Sequence, residues 1–209
     1  MFIGAIEDGV AMNDVQTGNV VHKEATKNPI ERRMVDGFSA ALQRSLPPTA
    51  TRVLEVGCGE GRQLTAVGTR YPNAGLIGLD LPNVELEEAW DGVPSHMVQA
   101  SALELPFADN TFDLVLAIEV LEHLPNPKQA LDEIARVASG DVVLSVPWEP
   151  VWRIGNLARG RYVGALGNTP GHIQHFTRRG FTKLVRAALD VNLVLRPVPW
   201  TMIRGRARS

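Results

Sequence analysis

The chain has 209 residues, 44% hydrophobic and 21% charged, with 21 Lys and Arg against 23 Asp and Glu for a net charge of −2. That length suffices for one α/β domain with a sizeable core, and the ordinary composition excludes a disordered or fibrous chain. The near-neutral balance argues against a nucleic-acid partner, which would call for a broad basic footprint. A single cysteine, Cys58, leaves no internal disulfide and no cysteine metal cluster. The first ten residues lack a basic lead and carry Glu7 and Asp8, and no uninterrupted apolar run reaches membrane-spanning length. The expectation is a soluble cytoplasmic chain without a membrane partner.

In chain order, residues 1–28 read as an N-terminal arm, without clear period up to about residue 24. Asn28 then caps a helix with Pro29 at its first position, and Ile30, Met34, Phe38, Leu42 and Leu46 form one apolar stripe. Pro47 and Pro48 stop it. A first strand over 52–56 ends in three alternate glycines, Gly57, Gly59 and Gly61, followed by a helix over 62–70. Further strands are expected over 76–79, 96–99, 113–118 and 141–146, with a helix over 127–137. Apolar strands separated by helices imply a parallel sheet covered on both faces. Residues 147–176 lack periodicity and read as a long loop or lid at the ligand edge. A last helix over about 178–189 precedes runs at 191–196 and 200–204 that suit an antiparallel finish. The expected architecture is a single α/β domain over 1–209, in three Rossmann-like layers, mostly parallel with an antiparallel last strand.

Chemistry concentrates first at the glycine turn. Glycine permits a tight bend and lets a ligand lie on bare backbone, and Asp80 ends the next apolar run about twenty residues later, where a carboxylate meets ribose hydroxyls. This arrangement alone suits a nicotinamide enzyme as well as any other nucleoside cofactor. The stretches 103–115 (LELPFADNTFDLV) and 119–125 (EVLEHLP) break the tie. Together with the glycine turn and Asp80, they resemble the small Rossmann-like (class I) S-adenosylmethionine-dependent methyltransferases, including the UbiE-like family, over about residues 52–146. A narrower similarity runs to actinobacterial methyltransferases of sugars and natural products.

The resemblance implies S-adenosylmethionine as methyl donor and S-adenosylhomocysteine as product. Glu55, Gly57, Gly59 and Gly61 would border its methionine half, Asp80 the ribose, and Leu81 the adenine. Ser101 and Ala102 would meet the adenine edge, and Glu119 the methionine portion. Ser101 departs from the family's usual aspartate, removing a charged acceptor for the exocyclic amine. The residue motif that amino-methylating nucleic-acid enzymes place after the fourth strand is absent; residues 118–121 read IEVL.

Among the five histidines, His22 and His96 read as solvent-facing or structural. His123 belongs to the 119–125 motif and supports packing or base catalysis. His172 and His175 flank the start of the last helix, beside a loop expected to cross the substrate mouth, and suit a general base for a hydroxyl, with His172 favoured. Glu122, Trp148, Glu149, Arg153 and Tyr162 are the candidate acceptor contacts, a mixture that suits a sugar or glycoside. A divalent metal built from these histidines with Glu119 or Glu122 is conceivable but not expected, because no ligand spacing marks one. The leading expectation is methyl transfer to a hydroxyl of a small molecule. Transfer to carbon or nitrogen of a quinone or other metabolite, and cofactor binding without catalysis, stay open as alternatives.

Overall fold

The computed structural model describes residues 28–160 and 162–208; the arm, His22 included, lies outside them. Helix α1 spans Pro29–Ser45, with the Asn28 side chain accepting from the Ile30 amide at 2.9 Å. Its stripe buries Phe38 and Leu42 as expected, but Ile30 is exposed. Strand β1 (Arg52–Val56) leads through the glycine turn into α2 (Arg62–Arg70), then β2 (Gly75–Asp80). A short helix α3 (Val84–Ala89), capped by Asn83, precedes β3 (His96–Gln99), where His96 is exposed at the sheet edge. Strand β4 (Phe112–Ile118), helix α4 (Pro127–Val137) and β5 (Ala138–Pro147) continue the alternation.

The seven strands lie in the order β3-β2-β1-β4-β5-β7-β6, where β6 is Leu189–Leu195 and β7 is Trp200–Ala207. Only β7 runs against its neighbours, pairing antiparallel with both β5 and β6. Successive residues of β1 point to opposite faces, so each face has its own core. Leu54 and Val56 pack with Val115, Ile134 of α4, and Phe181 of α6 (Arg178–Ala188). Val53 packs with Leu114, Phe38 and Leu42 of α1, and Leu64 of α2. Strand order reverses between β1 and β4, and a crevice opens beyond the carboxyl ends of strands at such a switch point.

Residues 147–176 are not one long loop. Helix α5 occupies Glu149–Ala158, and a 3-10 turn follows at Val163–Ala165. The helix turns no apolar stripe into the core, because its fully buried positions are Glu149 and Asn156. The Asn156 amide donates to the Gly167 carbonyl at 2.9 Å, closing the segment on itself. Among the described residues, no helix is long and apolar enough to cross a membrane.

Candidate active site

Gly57, Gly59 and Gly61 all adopt left-handed backbone, with φ of 71°, 51° and 77°. This conformation costs other residues roughly 1–2 kcal/mol. At Gly57 a side chain would also overlap Val120, whereas at Gly59 the space above the backbone is open. Gly57→Ala is therefore expected to lower the melting temperature by several degrees, read by calorimetry, from backbone strain plus the Val120 clash.

The turn is tied to β2 through its backbone. The Gly57 and Cys58 amides donate to the Leu79 carbonyl at 2.7 and 3.0 Å. The Gly59 amide donates to Asp80 Oδ2 at 2.7 Å, and the Leu81 amide to Asp80 Oδ1 at 2.8 Å. Each carboxylate oxygen thus spends one lone pair on the backbone and keeps another for a ligand hydroxyl. Burial raises the Asp80 pKa, and the two amides oppose that shift. Cys58 is buried beside Glu55 and Asp80, and burial first, then those acids, push its thiol up. It stays protonated, which removes it as a nucleophile.

A cavity of about 400 Å³ lies beyond the carboxyl ends of β1 and β4. Glu55, Gly57, Gly59, Asp80, Leu81, Ser101, Ala102 and Glu119 all line it. Gly61 does not line it and instead turns the chain into α2 as its N-cap. Glu55 is buried, with Oε2 lacking a hydrogen-bond partner, and burial pushes its carboxyl up to about 8, opposed by a Leu64 backbone hydrogen bond and reinforced by Asp80. An orphaned acid facing a cavity suits a ligand ammonium. Ser101 Oγ accepts from the Leu103 amide at 3.1 Å, holding the loop and retaining a further lone pair for a ligand amine. Glu119 has φ of 57° and accepts from the Trp200 indole N–H.

The other end of the same cavity gathers Glu122, His123 and His172. The 3-10 turn Leu121–His123 holds the later segment by its backbone. The Ile173 and Gln174 amides both donate to the Glu122 carbonyl at 3.0 Å, and the Gln174 side chain donates to the Leu124 carbonyl at 3.1 Å. This sets the His172 ring 4.9 Å from that of His123. His123 Nδ1 lies 2.9 Å from the Gly171 carbonyl, and His172 Nδ1 lies 3.0 Å from Glu149 Oε1. The Glu149 carboxylate selects the His172 tautomer with hydrogen on Nδ1, which leaves its Nε2 with a lone pair. Glu149 and His172 are both buried, and Glu149 Oε2 has no hydrogen-bond partner. Glu122, His123 and His172 each offer a ligand atom within 4.8 Å of the others, close enough to hold a cation. His175 and Glu119 are not in that group.

Several expected residues fall elsewhere. His175 is exposed and faces Asn168 Oδ1 at 3.1 Å, away from the cavity. Residues 172–176 are not helical, so a spacing of three does not place two histidines on one face. The Trp148 ring lies under the Arg178 guanidinium at 3.6 Å, and Arg153 Nε donates to the Leu166 carbonyl. Tyr162 is partly exposed in the turn after α5, and Glu149 contacts His172 rather than lining the cavity. Sequence reasoning missed Phe38 of α1 and Trp200 of β7 as cavity walls, which they form together with Trp152 of α5. Their rings pack in series, with Phe38–Trp200 at 5.0 Å and Trp152–Trp200 at 5.5 Å. The available signal was position, since Trp200 opens the strand beside the carboxyl end of β5.

Residues 54–146 match the profile of a family described as a methyltransferase domain. The chain is 30% identical over 144 residues to the chloroplastic tocopherol O-methyltransferase of Arabidopsis thaliana, covering 65% of this chain and 40% of that protein. It is 39% identical over 106 residues to an uncharacterized methyltransferase of Mycobacterium tuberculosis, covering 48% and 41%. It thus spans about two fifths of these curated relatives. Among solved structures, it superposes on a chain of the complex between the Haloferax volcanii Trm112 methyltransferase activator and a methyltransferase. The TM-score is 0.67 at 18% identity, covering 86% of this chain and 92% of that one. The fold is the Rossmann-like fold of these solved methyltransferase structures, and the match to the methyltransferase-domain family extends over residues 54–146.

Proposed function

We propose, from a methyltransferase domain as premise, that this chain methylates a hydroxyl of a small molecule with S-adenosylmethionine as donor. The observation that carries the reading is one cavity with two chemically distinct ends. At one end the open backbone of Gly59, the Asp80 carboxylate and the orphaned Glu55 oxygen match a nucleoside bearing an amino acid. At the other, a buried carboxylate–histidine pair is oriented to accept a proton. The cofactor supplies an activated methyl on sulfur and leaves as S-adenosylhomocysteine.

The chain's own groups supply alignment and proton transfer. Glu55 takes the ammonium, Asp80 the ribose hydroxyls, and Ser101 with Ala102 and Leu81 the adenine. Glu119, fixed by Trp200, holds the methionine side. His172 Nε2 removes the acceptor hydroxyl proton as the oxygen bonds to the methyl carbon, while Glu149 stabilises the resulting imidazolium. His123 orders the acceptor pocket through its contact with His172. Trp148, Arg153 and Tyr162 do not line the cavity, which removes the grounds for a sugar. Phe38, Trp152 and Trp200 offer aromatic faces instead, so the acceptor class is a phenol or another apolar-bodied hydroxyl compound. The Arabidopsis relative's name, an O-methyltransferase of a tocopherol, supports the same class.

The Glu122–His123–His172 group favours one second reading, in which a divalent cation binds the acceptor oxygen and occupies the histidine lone pairs. The experiment is transfer of labelled methyl from S-adenosylmethionine to a panel of phenols, before and after exhaustive chelation. The histidine-base reading expects labelled ethers and unchanged turnover with chelator. Loss of turnover restored by added metal would overturn it in favour of the cation, and labelled carbon or nitrogen products would overturn oxygen transfer.

Glu55 gives a pH prediction. Its folded pKa of about 8 stands above the ordinary 4.5, so the folded apo-protein holds a proton that the unfolded chain releases. Stability from this group is full below about pH 4.5 and is lost as pH rises to 8. An incoming ammonium favours the carboxylate, so cofactor affinity is expected to rise by up to tenfold per pH unit toward pH 8, then level off. Titration calorimetry across pH 6–9 checks this, and Glu55→Gln should flatten the profile.

A further inference from the structure

Helix α6 has two faces of opposite character. Phe181 and Val185 are buried in the core beside the sheet. On the other side Arg178, Arg179, Lys183 and Arg186 recur at helical spacing. Together with Arg196, just past the end of β6, they line a groove of about 520 Å³. Its remaining walls are Thr182, Ala187 and Val194, so the groove holds five cationic side chains and neither an acid nor an aromatic ring. It shares no lining residue with the cavity of the candidate active site.

The placement of these cations is unfavourable without a counter-charge. Arg178 and Arg179 occupy the first turn of α6, which contains no acid and where the helix dipole disfavours cations. Arg179 and Lys183 stand four residues apart and Lys183 and Arg186 three apart, spacings at which like charges repel. The Trp148 ring holds the Arg178 guanidinium at 3.6 Å, yet Arg178 Nε is buried with no hydrogen-bond acceptor among the described residues. Burial first, and then the charge of Arg196, lower the Arg178 pKa. Among the described residues, none of the five cations has an ion-pair partner. The acid that follows α6, Asp190 of β6, pairs instead with Arg208 at 3.1 Å.

A concave site lined by one sign of charge focuses its field and draws in ions of the other sign. Arginine engages phosphate through paired N–H groups. The cations of α6 range over about 12 Å of helix, more than a single phosphate engages. No ring lines the groove to stack a nucleobase, and a net charge of −2 gives no wider basic track for a nucleic acid. We propose that this groove binds a chain of linked phosphates, a diphosphate or longer, carried by a small molecule. Arg178 and Arg196 share one phosphate, and Arg179, Lys183 and Arg186 take the next. The binding does not depend on the methyl-transfer reading.

Calorimetric titration of this chain with inorganic diphosphate, and with inorganic phosphate, tests the proposal. One equivalent of diphosphate is expected to bind, about tenfold more tightly than phosphate, with affinity falling as salt rises. Arg178→Gln/Arg196→Gln should weaken diphosphate binding by about tenfold or more. Arg179→Gln/Lys183→Gln, which keeps the Trp148 stack, should weaken it severalfold. Arg32→Gln/Arg33→Gln removes the same charge from exposed positions of α1, on the other face of the sheet, and should leave the affinity within about twofold of wild type. Melting curves establish that each variant is folded. No binding of diphosphate by the wild type, or equal affinity for phosphate, overturns the proposal. So does a loss in the Arg32/Arg33 variant as large as in the groove variants. Flotation with phosphatidylglycerol vesicles without affinity for diphosphate also overturns it, because the cations would then serve a lipid surface.

Discussion

His172→Ala is expected to lower kcat by roughly 10²–10⁴-fold, the usual contribution of a positioned general base. Cofactor affinity should change little, because the His172 contacts lie at the Glu149, His123 and Trp152 end. Glu149→Gln should act through the histidine. It replaces a carboxylate 3.0 Å from Nδ1 with a neutral amide, which destabilises the imidazolium. The loss should appear in kcat, with cofactor affinity nearly unchanged. A purely packing role for the pair would lower the melting temperature and leave turnover of the folded protein nearly intact. His175→Ala serves as the comparison, since its ring faces Asn168 outside the cavity, and near-normal turnover is expected.

Asp80→Ala is expected to weaken S-adenosylmethionine binding by about 100-fold or more. Two effects combine. Hydrogen bonds to a charged group contribute about 1.5–3 kcal/mol each, and the variant removes the acceptor for the ribose hydroxyls. It also releases the Gly59 and Leu81 amides that the carboxylate holds at 2.7 and 2.8 Å. Asp80→Asn keeps one oxygen but sets an amide N–H against a backbone donor, so an intermediate loss of about tenfold is expected. Dialysis at equilibrium with labelled cofactor reads both. An Asp80 that served only as a loop staple would lower the melting temperature and leave the affinity of the folded protein nearly intact.

The parts of this structure visible in the sequence are those whose cause is local. Strands β1, β3 and β4 and helices α2 and α4 follow from apolar runs, an Asn cap and Pro at a helix start, and the structure has them at or within one residue of the expected limits. The antiparallel finish was legible because 191–196 and 200–204 lie too close for a crossover. Helix α5 was not legible, because its buried positions, Glu149 and Asn156, are polar and read as loop. Its burial depends on partners reached only after folding, His172 for one and Gly167 for the other.

The site divides in the same way. Glu55, the glycines and Asp80 sit on one β-α-β passage, so their spacing carries their geometry. Ser101 and Glu119 followed from similarity. The acceptor end is assembled from α1, the turn after β4, α5 and the start of β7. No local pattern links Phe38 to Trp200, or Glu149 to His172. Trp148, Arg153 and Tyr162 look like acceptor contacts by residue type. Their neighbours, Arg178, Leu166 and solvent, turn them outward.

Methyl transfer by this chain depends on which ligand the glycine end of the cavity holds, and calorimetric titration of the wild-type chain with S-adenosylmethionine, with NAD as comparison, measures that directly. The expected result is one equivalent of S-adenosylmethionine per chain, proton release on binding below pH 8, and no binding of NAD. A flat S-adenosylmethionine titration, or equal affinity for NAD, would contradict the account.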